Sequence, residues 1–157
     1  MNYTCWLTKQ SVMSANYNEQ YSRKNNVKVF NFPKKQNENL RTEFINKGKK
    51  YLNVKLEERD VVAIHRLPSI KPGPQPVIVR LFNSDVKRNV MKAKKNLSDG
   101  VRFVDDVTKR NLELMSNLRN SYNFESVWYF NCGIYGRTED GLQLKFGLYD
   151  DTGLRLN

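Results

Sequence analysis

The stretch from Glu19 to Pro33, E-Q-Y-S-R-K-N-N-V-K-V-F-N-F-P, decides how the rest of the chain is read. It starts polar, turns basic at Arg23 and Lys24, and runs into alternating residues that stop at Pro33. Side chains alternate across a strand, so Val27, Val29 and Asn31 share one face while Lys28, Phe30 and Phe32 share the other. A strand that shows lysine beside two aromatics suits a sheet surface facing nucleic acid. Periodicity alone supports equally an ordinary edge strand whose aromatics lie in a core.

Downstream, Leu40, Phe44, Ile45, Tyr51 and Leu52 recur at helical spacing, with Glu38, Arg41 and Lys47 on other faces and Gly48 weakening the helix end. Val61 to Arg66 reads as a second strand. Leu67 to Gln75, L-P-S-I-K-P-G-P-Q, is too punctuated by proline for regular structure. Pro76 then opens a third strand, V-I-V-R-L-F, whose apolar run predicts a central position. Ser84 is the expected N-cap of a second helix, with Val86, Val90, Met91 and Leu97 inside and Lys87, Arg88, Lys92, Lys94 and Lys95 in water. Asp99-Gly100 turns the chain into a fourth strand, V-R-F-V. The order β-α-β-β-α-β predicts an α+β fold, a ferredoxin-like or RNA-recognition-like sandwich over residues 19–105.

A smaller α+β domain is expected over residues 106–150. Thr108 caps a helix lined by Leu112, Met115, Leu118 and Tyr122. A three-stranded meander follows over Val127–Phe130, Ile134–Arg137 and Leu142–Leu148, with turns at Asn131-Cys132-Gly133 and Glu139-Asp140-Gly141. Residues 151–157 read as a tail. Residues 1–18 hold Trp6, Val12, Met13 and Tyr17 without a sustained heptad, and read as weakly structured, a short helix at most.

Charge sets the function class. The formal net charge is +11. Residues 23–102 hold 20 Lys and Arg against 7 Asp and Glu, whereas residues 103–157 hold 6 against 8. Such an excess attracts polyanions, nucleic acid or an acidic membrane surface. Membrane binding would want one basic amphipathic helix with large apolar residues opposite. Here the basic residues spread over strands and two ordinary helices, which favours nucleic acid. No apolar run is long enough for a membrane span, and no secretory start is visible. Cys5 and Cys132 stand far apart, which argues for reduced thiols and an intracellular protein, cytoplasmic with access to the nucleus.

Catalytic constellations are thin. His65 is the single histidine and sits beside Arg66 in a strand, where a rim or packed role is the commoner one. Cys132 lies in a turn with no base near it in sequence. Asp105-Asp106 and Asp150-Asp151 stand at element ends, where adjacent carboxylates usually serve turns and caps. Neither a phosphate-binding glycine loop nor zinc-ligand spacing occurs. No enzyme, catalytic residue, metal or cofactor is expected. The third strand also lacks the aromatic stacking pair of RNA-recognition motifs, so binding would rest on phosphate contacts, with Phe30 and Phe32 as minor platforms.

The segment Y-S-R-K-N-N-V-K-V-F-N-F-P resembles the entry to the RNA-binding core of first-open-reading-frame proteins of LINE-type (non-LTR) retrotransposons. H-R-L-P at 65–68, P-V-I-V-R-L-F at 76–82 and V-R-F-V-D-D-V-T at 101–108 follow in that family's order. V-W-Y-F-N-C-G-I-Y-G-R at 127–137 is similar to the C-terminal unit of those proteins and to the C-terminal domain of the baculovirus FP protein. The resemblance spans most of the chain, from Glu19 to Asp150. It implies an RNA-recognition-like domain and a small C-terminal domain that jointly clamp single-stranded RNA or DNA in ribonucleoprotein particles, with a chaperone role. The FP-like alternative is a structural protein whose basic face meets protein or envelope components.

Carried over by position, the resemblance implies binding roles for Arg23 and Lys24 at the domain entrance, Arg66 at the end of the second strand and Arg80 in the third. Arg102, Arg137 and Tyr135 follow as weaker transfers, and Lys28 joins them on the strand reading above. Arg80 is the best candidate, since an arginine inside an apolar strand needs a reason. The family's homotrimers form through a long N-terminal coiled coil. Residues 1–18 carry no such heptads, so a monomer is expected.

Overall fold

The structure, a computed structural model, describes residues 2–156. Strand β1 (Asn26–Phe30) alternates as its sequence requires: Val27 and Val29 are fully buried, while Lys28 and Phe30 are half-buried on the other side. Its neighbours are β2 (Val61–Arg66), β3 (Val77–Leu81) and β4 (Arg102–Asp105). They form one antiparallel sheet in the order β2-β3-β1-β4. Helix α2 (Leu40–Tyr51) links β1 to β2, and α3 (Ser84–Lys92) links β3 to β4. Phe44 and Ile45 of α2 and Val90 of α3 pack with Val27, Val29, Val77, Val79 and Phe103, so both helices share the core side of the sheet. The sequence-predicted central position of the third strand matches this order.

Several local expectations change. The strand stops at Phe30 because Asn31 adopts a left-handed φ of 62°, and its side chain donates to the Gly100 carbonyl at 3.0 Å. That residue breaks the alternation, and Phe32 turns into the core instead of sharing a face with Phe30. Asn83, one residue before Ser84, caps α3 by accepting from the Val86 amide at 2.9 Å. Lys47 is buried rather than wet, and its ammonium pairs with Asp99. Gly48 serves a close approach: a Cβ there would lie 3.2 Å from Leu56 Cδ1 and 3.3 Å from the Val54 carbonyl. The side chain of Tyr51 lies outside the described residues.

Arg66 ends β2 as a node rather than as a free charge. Its Nε and Nη2 grip the two Glu38 carboxylate oxygens at 2.9 Å each. The remaining N–H groups reach the carbonyls of Phe32 (2.9 Å), Gln75 (2.7 Å) and Pro33 (3.1 Å). All five guanidinium donors are thereby used. Leu67 N–H donates to the Pro76 carbonyl at 2.7 Å, so the base of the proline-rich loop is closed beside this node.

The second unit combines residues 1–22 with 107–157, while residues 23–106 form the first. The N-terminal segment is not weakly structured. It is helix α1 (Tyr3–Ser22), started by Asn2, whose side chain accepts from the Cys5 amide at 2.7 Å. Helix α4 (Lys109–Asn120) has Thr108 as N-cap, as expected, its hydroxyl accepting from the Asn111 amide at 3.2 Å. Strands β5 (Ser126–Phe130), β6 (Gly133–Arg137) and β7 (Gln143–Phe146) form the meander. Met115 and Leu118 of α4 join Ile134 and Phe146 in its core. Leu112 and Tyr122, expected on that face, are exposed. The expected tail contains a short helix, α5 (Thr152–Leu156), whose Arg155 pairs with Asp150 at 2.9 Å.

Helix α1 is joined to its unit by amides, not by an apolar stripe. Asn16 donates to Asn111 Oδ1 at 3.0 Å, and Asn111 donates to Gln20 Oε1 at 3.0 Å. The Thr108 amide donates to the same Gln20 oxygen at 2.9 Å, and the Thr108 hydroxyl donates to Asn16 Oδ1 at 2.7 Å. The four residues close a buried ring, and Gln20 Nε2 reaches the Tyr129 hydroxyl at 3.4 Å. Among the described residues no helix is long and apolar enough to cross a membrane.

Two consequences can be measured. Gln20→Ala leaves the Thr108 and Asn111 donors buried, at a cost of about 1–3 kcal/mol for each stranded group. Denaturant unfolding that matches the native chain would show that the ring does not hold α1. The Arg66 hydrogen bonds keep the Glu38 carboxyl below its usual range, so the charged pair stabilises the fold above the unfolded value of about 4.3. That contribution fades as acid takes the pH down through the lowered folded value. Glu38→Gln should therefore be less stable than the native chain near neutrality, with the gap closing below about pH 4. A gap that ignores pH would remove the ion pair from the account.

Candidate nucleic-acid interface

With α2 and α3 on one side, the other side of the four-stranded sheet carries Asn26, Lys28 and Phe30. Lys28 stands between Ile78 of β3 and Val104 of β4, with His65 of β2 beyond Ile78. Asn26 lies opposite Arg80, and Phe30 opposite Arg102. Arg80, Lys28 and Arg102 therefore form a diagonal across β3, β1 and β4. From strand spacing and rise its ends are roughly 16 Å apart. Arg80 and Arg102 are exposed.

Phe30 sits among these cations. The Arg102 guanidinium lies 4.9 Å from its ring centre, and the Lys28 ammonium 5.2 Å. Cations held over an aromatic face keep their charge while their approach is fixed. The flat guanidinium and the ring together offer stacking surface beside phosphate-binding charge.

At the end of the sheet near Arg80, Asn26 acts as a coupler. Its amide donates to Asp106 Oδ2 at 2.9 Å, and its oxygen accepts from Arg80 Nε at 3.4 Å. Arg23 meets the other Asp106 oxygen at 3.4 Å. Arg23 and Arg80 are thus brought to one corner. Lys24 is half-buried, and its carbonyl accepts from Lys87 Nζ at 2.7 Å. Arg66 does not join them, because the Glu38 node uses its whole guanidinium. The resemblance-based binding role for Arg66 is therefore replaced by a structural one.

The carboxylates sharpen the field. Residues 23–106 hold 20 Lys and Arg against 9 Asp and Glu, and the other unit holds 7 against 7. The whole net charge lies in the first unit. Each of its carboxylates has a partner: Glu38 holds Arg66, Glu43 Lys35, Asp99 Lys47, Asp105 Lys87 and Asp106 Arg23. Glu57, Glu58 and Asp85 pair with Arg59, Arg41 and Arg88. Asp60 accepts from the Glu57 amide at 2.9 Å. Lys28 and Arg102 have no carboxylate partner among the described residues. Their positive potential is not cancelled locally.

The meander of the second unit has a face turned away from the core of that unit. Val127, Tyr129, Ile134, Leu144 and Phe146 face its core, so Trp128, Tyr135, Arg137 and Lys145 face away. Trp128 and Tyr135 are register partners and stack with centroids 5.8 Å apart and planes 15° apart. Tyr135 is also opposite Lys145. Gly133 makes room for both, since a Cβ there would lie 3.0 Å from each of the Tyr135 ring and Lys145 Cε. Arg137 pairs with Glu125 at 3.6 Å. Of this group the sequence reading named Tyr135 and Arg137 and missed Trp128 and Lys145. The alternation V-W-Y-F was the available signal: once Val127 and Tyr129 face inward, Trp128 must face out.

In comparisons with known proteins, no family model matches the chain, and no curated protein matches it either.

Proposed function

We propose that the chain is a non-catalytic protein that binds single-stranded nucleic acid without sequence preference, in the ribonucleoprotein or chaperone manner of retroelement proteins. The observation that carries this reading is the Arg80–Lys28–Arg102 diagonal beside Phe30, on the helix-free face of the unit that holds the entire +11. The order β2-β3-β1-β4 with two helices behind it supports assigning residues 23–106 to the RNA-recognition-like folds. The face departs from that fold's usual stacking chemistry. β3 turns Ile78 and Arg80 outward and offers no aromatic, so Phe30 is the single ring of the diagonal. Phosphate contacts then dominate affinity, and salt must weaken it.

The second unit contributes in a different way. That unit carries no net charge, and the side of its sheet turned away from its core holds the Trp128–Tyr135 stack with Lys145 and Arg137 nearby. Every base has a π-face, so stacking there adds affinity without reading sequence. Arg23, Lys24 and Arg137 take secondary roles, since two of them already hold Asp106 and Glu125.

For about 4–6 phosphate contacts, the slope of log affinity against log salt is about −3 to −4 on single strands. Affinity itself belongs near 10⁻⁴–10⁻⁶ M, the range of about one non-specific module. Arg80→Ala should lower the slope by about 1 and weaken binding alike on all sequences. The protein should stay folded, because the side chain is exposed and truncation gives up the hydrogen bond to Asn26 rather than any core packing. A filter-binding titration with no salt dependence, or an Arg80→Ala protein that binds as the native chain does, would remove this face from the mechanism.

A further inference from the structure

The diagonal accounts for only part of the basic excess. On the core side of the same unit, the loop after α2 and the end of α3 enclose an open groove of about 700 Å³. Leu52, Val54 and Ala93 contribute its apolar lining. Its polar lining is Lys55, Lys92 and Lys95 with Asn53, Asn89 and Asn96. All six can donate hydrogen bonds, and among the described residues no carboxylate lines the groove.

The carboxylate pairing of the unit passes this groove by. Lys35, Lys47 and Lys87 each have an acid within 3.2 Å. Lys55, Lys92 and Lys95 have none among the described residues, and all three are exposed. Part of this has a local reason, since Lys92 lies in the last turn of α3, where a cation complements the helix dipole. Lys55 has no such reason. It comes from the far wall of the groove, and its charge adds to the repulsion among the three. An anion in the groove would relieve that repulsion. Among the described residues no aromatic lines it, and its polar lining offers ammonium and amide donors.

We infer that this groove is a second phosphate site, which takes the phosphodiester backbone of a separate nucleic-acid segment. It lies among the helices and the diagonal lies on the helix-free side of the sheet, so one chain holds two segments at once. A single copy then bridges strands without needing to oligomerise. The inference shares only the ligand class with the function proposed above, because its residues are different.

The test is stoichiometry. Native mass spectrometry with octathymidylate at low salt should give two oligonucleotides per native chain. The variant Lys55→Gln/Lys92→Gln/Lys95→Gln should give one, with unchanged affinity for it and a native circular dichroism spectrum. On a long strand its salt slope should fall by about 2, the share of three lysines. The variant Lys28→Gln/Arg80→Gln/Arg102→Gln should also keep one oligonucleotide, held by the groove. If the groove variant still takes as many oligonucleotides as the native chain, the inference is overturned. Should only the groove variant lose binding, the groove stands and the sheet-face reading falls. Inorganic tripolyphosphate that displaces octathymidylate from the groove at equal phosphate concentration would overturn the nucleic-acid assignment in favour of a compact phosphate ligand.

Discussion

The structure of the first unit depends on the alternation of one central strand. β1 is paired on both edges, by β3 and by β4, so it cannot shift register without breaking two ladders. Val27 and Val29 fill the core beneath the helices, and that burial obliges Lys28 and Phe30 to stand on the opposite face. A one-residue slip would put an ammonium among valines. The same packing that stabilises the fold therefore fixes where the cation, the ring and their neighbours Arg80 and Arg102 lie. The candidate interface needs no separate device to hold it.

How far this could be read beforehand differs by residue. The alternation of β1, the central place of β3 and the order of elements follow from local periodicity, and all three are legible in the chain. Phe32 is not, because its side depends on the left-handed turn at Asn31, and period two carries no mark of that turn. Arg66 is illegible for a different reason. Its acceptors come from Phe32, Pro33, Glu38 and Gln75, which the fold brings together from separate loops. An arginine at the end of a strand looks the same in sequence whether it serves a phosphate or five internal acceptors. Arg80 and Arg66 were both candidates by position, and burial with pairing separates them.

Helix α1 shows the limit of hydrophobic patterning. A search for apolar heptads passes over residues 3–22 because the side chains they bury are Asn16 and Gln20. Those two are four residues apart and so share a helix face. Their amides are tolerable inside only because Thr108 and Asn111 complete every step of the ring. The information was present as i,i+4 amides upstream and a Thr-capped helix downstream, but nothing local links them. Meanwhile Tyr3, Trp6, Leu7, Tyr17 and Tyr21 remain exposed, so aromatic content along a helix is a poor guide to which side is inside.

The distribution of charge ties these threads together. A neutral unit and a unit of +11 share one chain, and the acids of the +11 unit are each committed to a particular partner. Pairing at that level does not lower the net excess; it decides where the excess is felt. The acids fasten strand ends, loop bases and helix caps, the points where the fold needs local bonds. The cations left over include those in the middle of the helix-free sheet face and in the groove beside α3. Self-repulsion of that kind weakens the compact state. A sequence that served stability alone would place carboxylates beside Lys28, Arg102 and the groove lysines. In a unit whose acids are each placed against a partner, their absence at both places among the described residues is the arrangement that the proposed polyanionic ligand would account for.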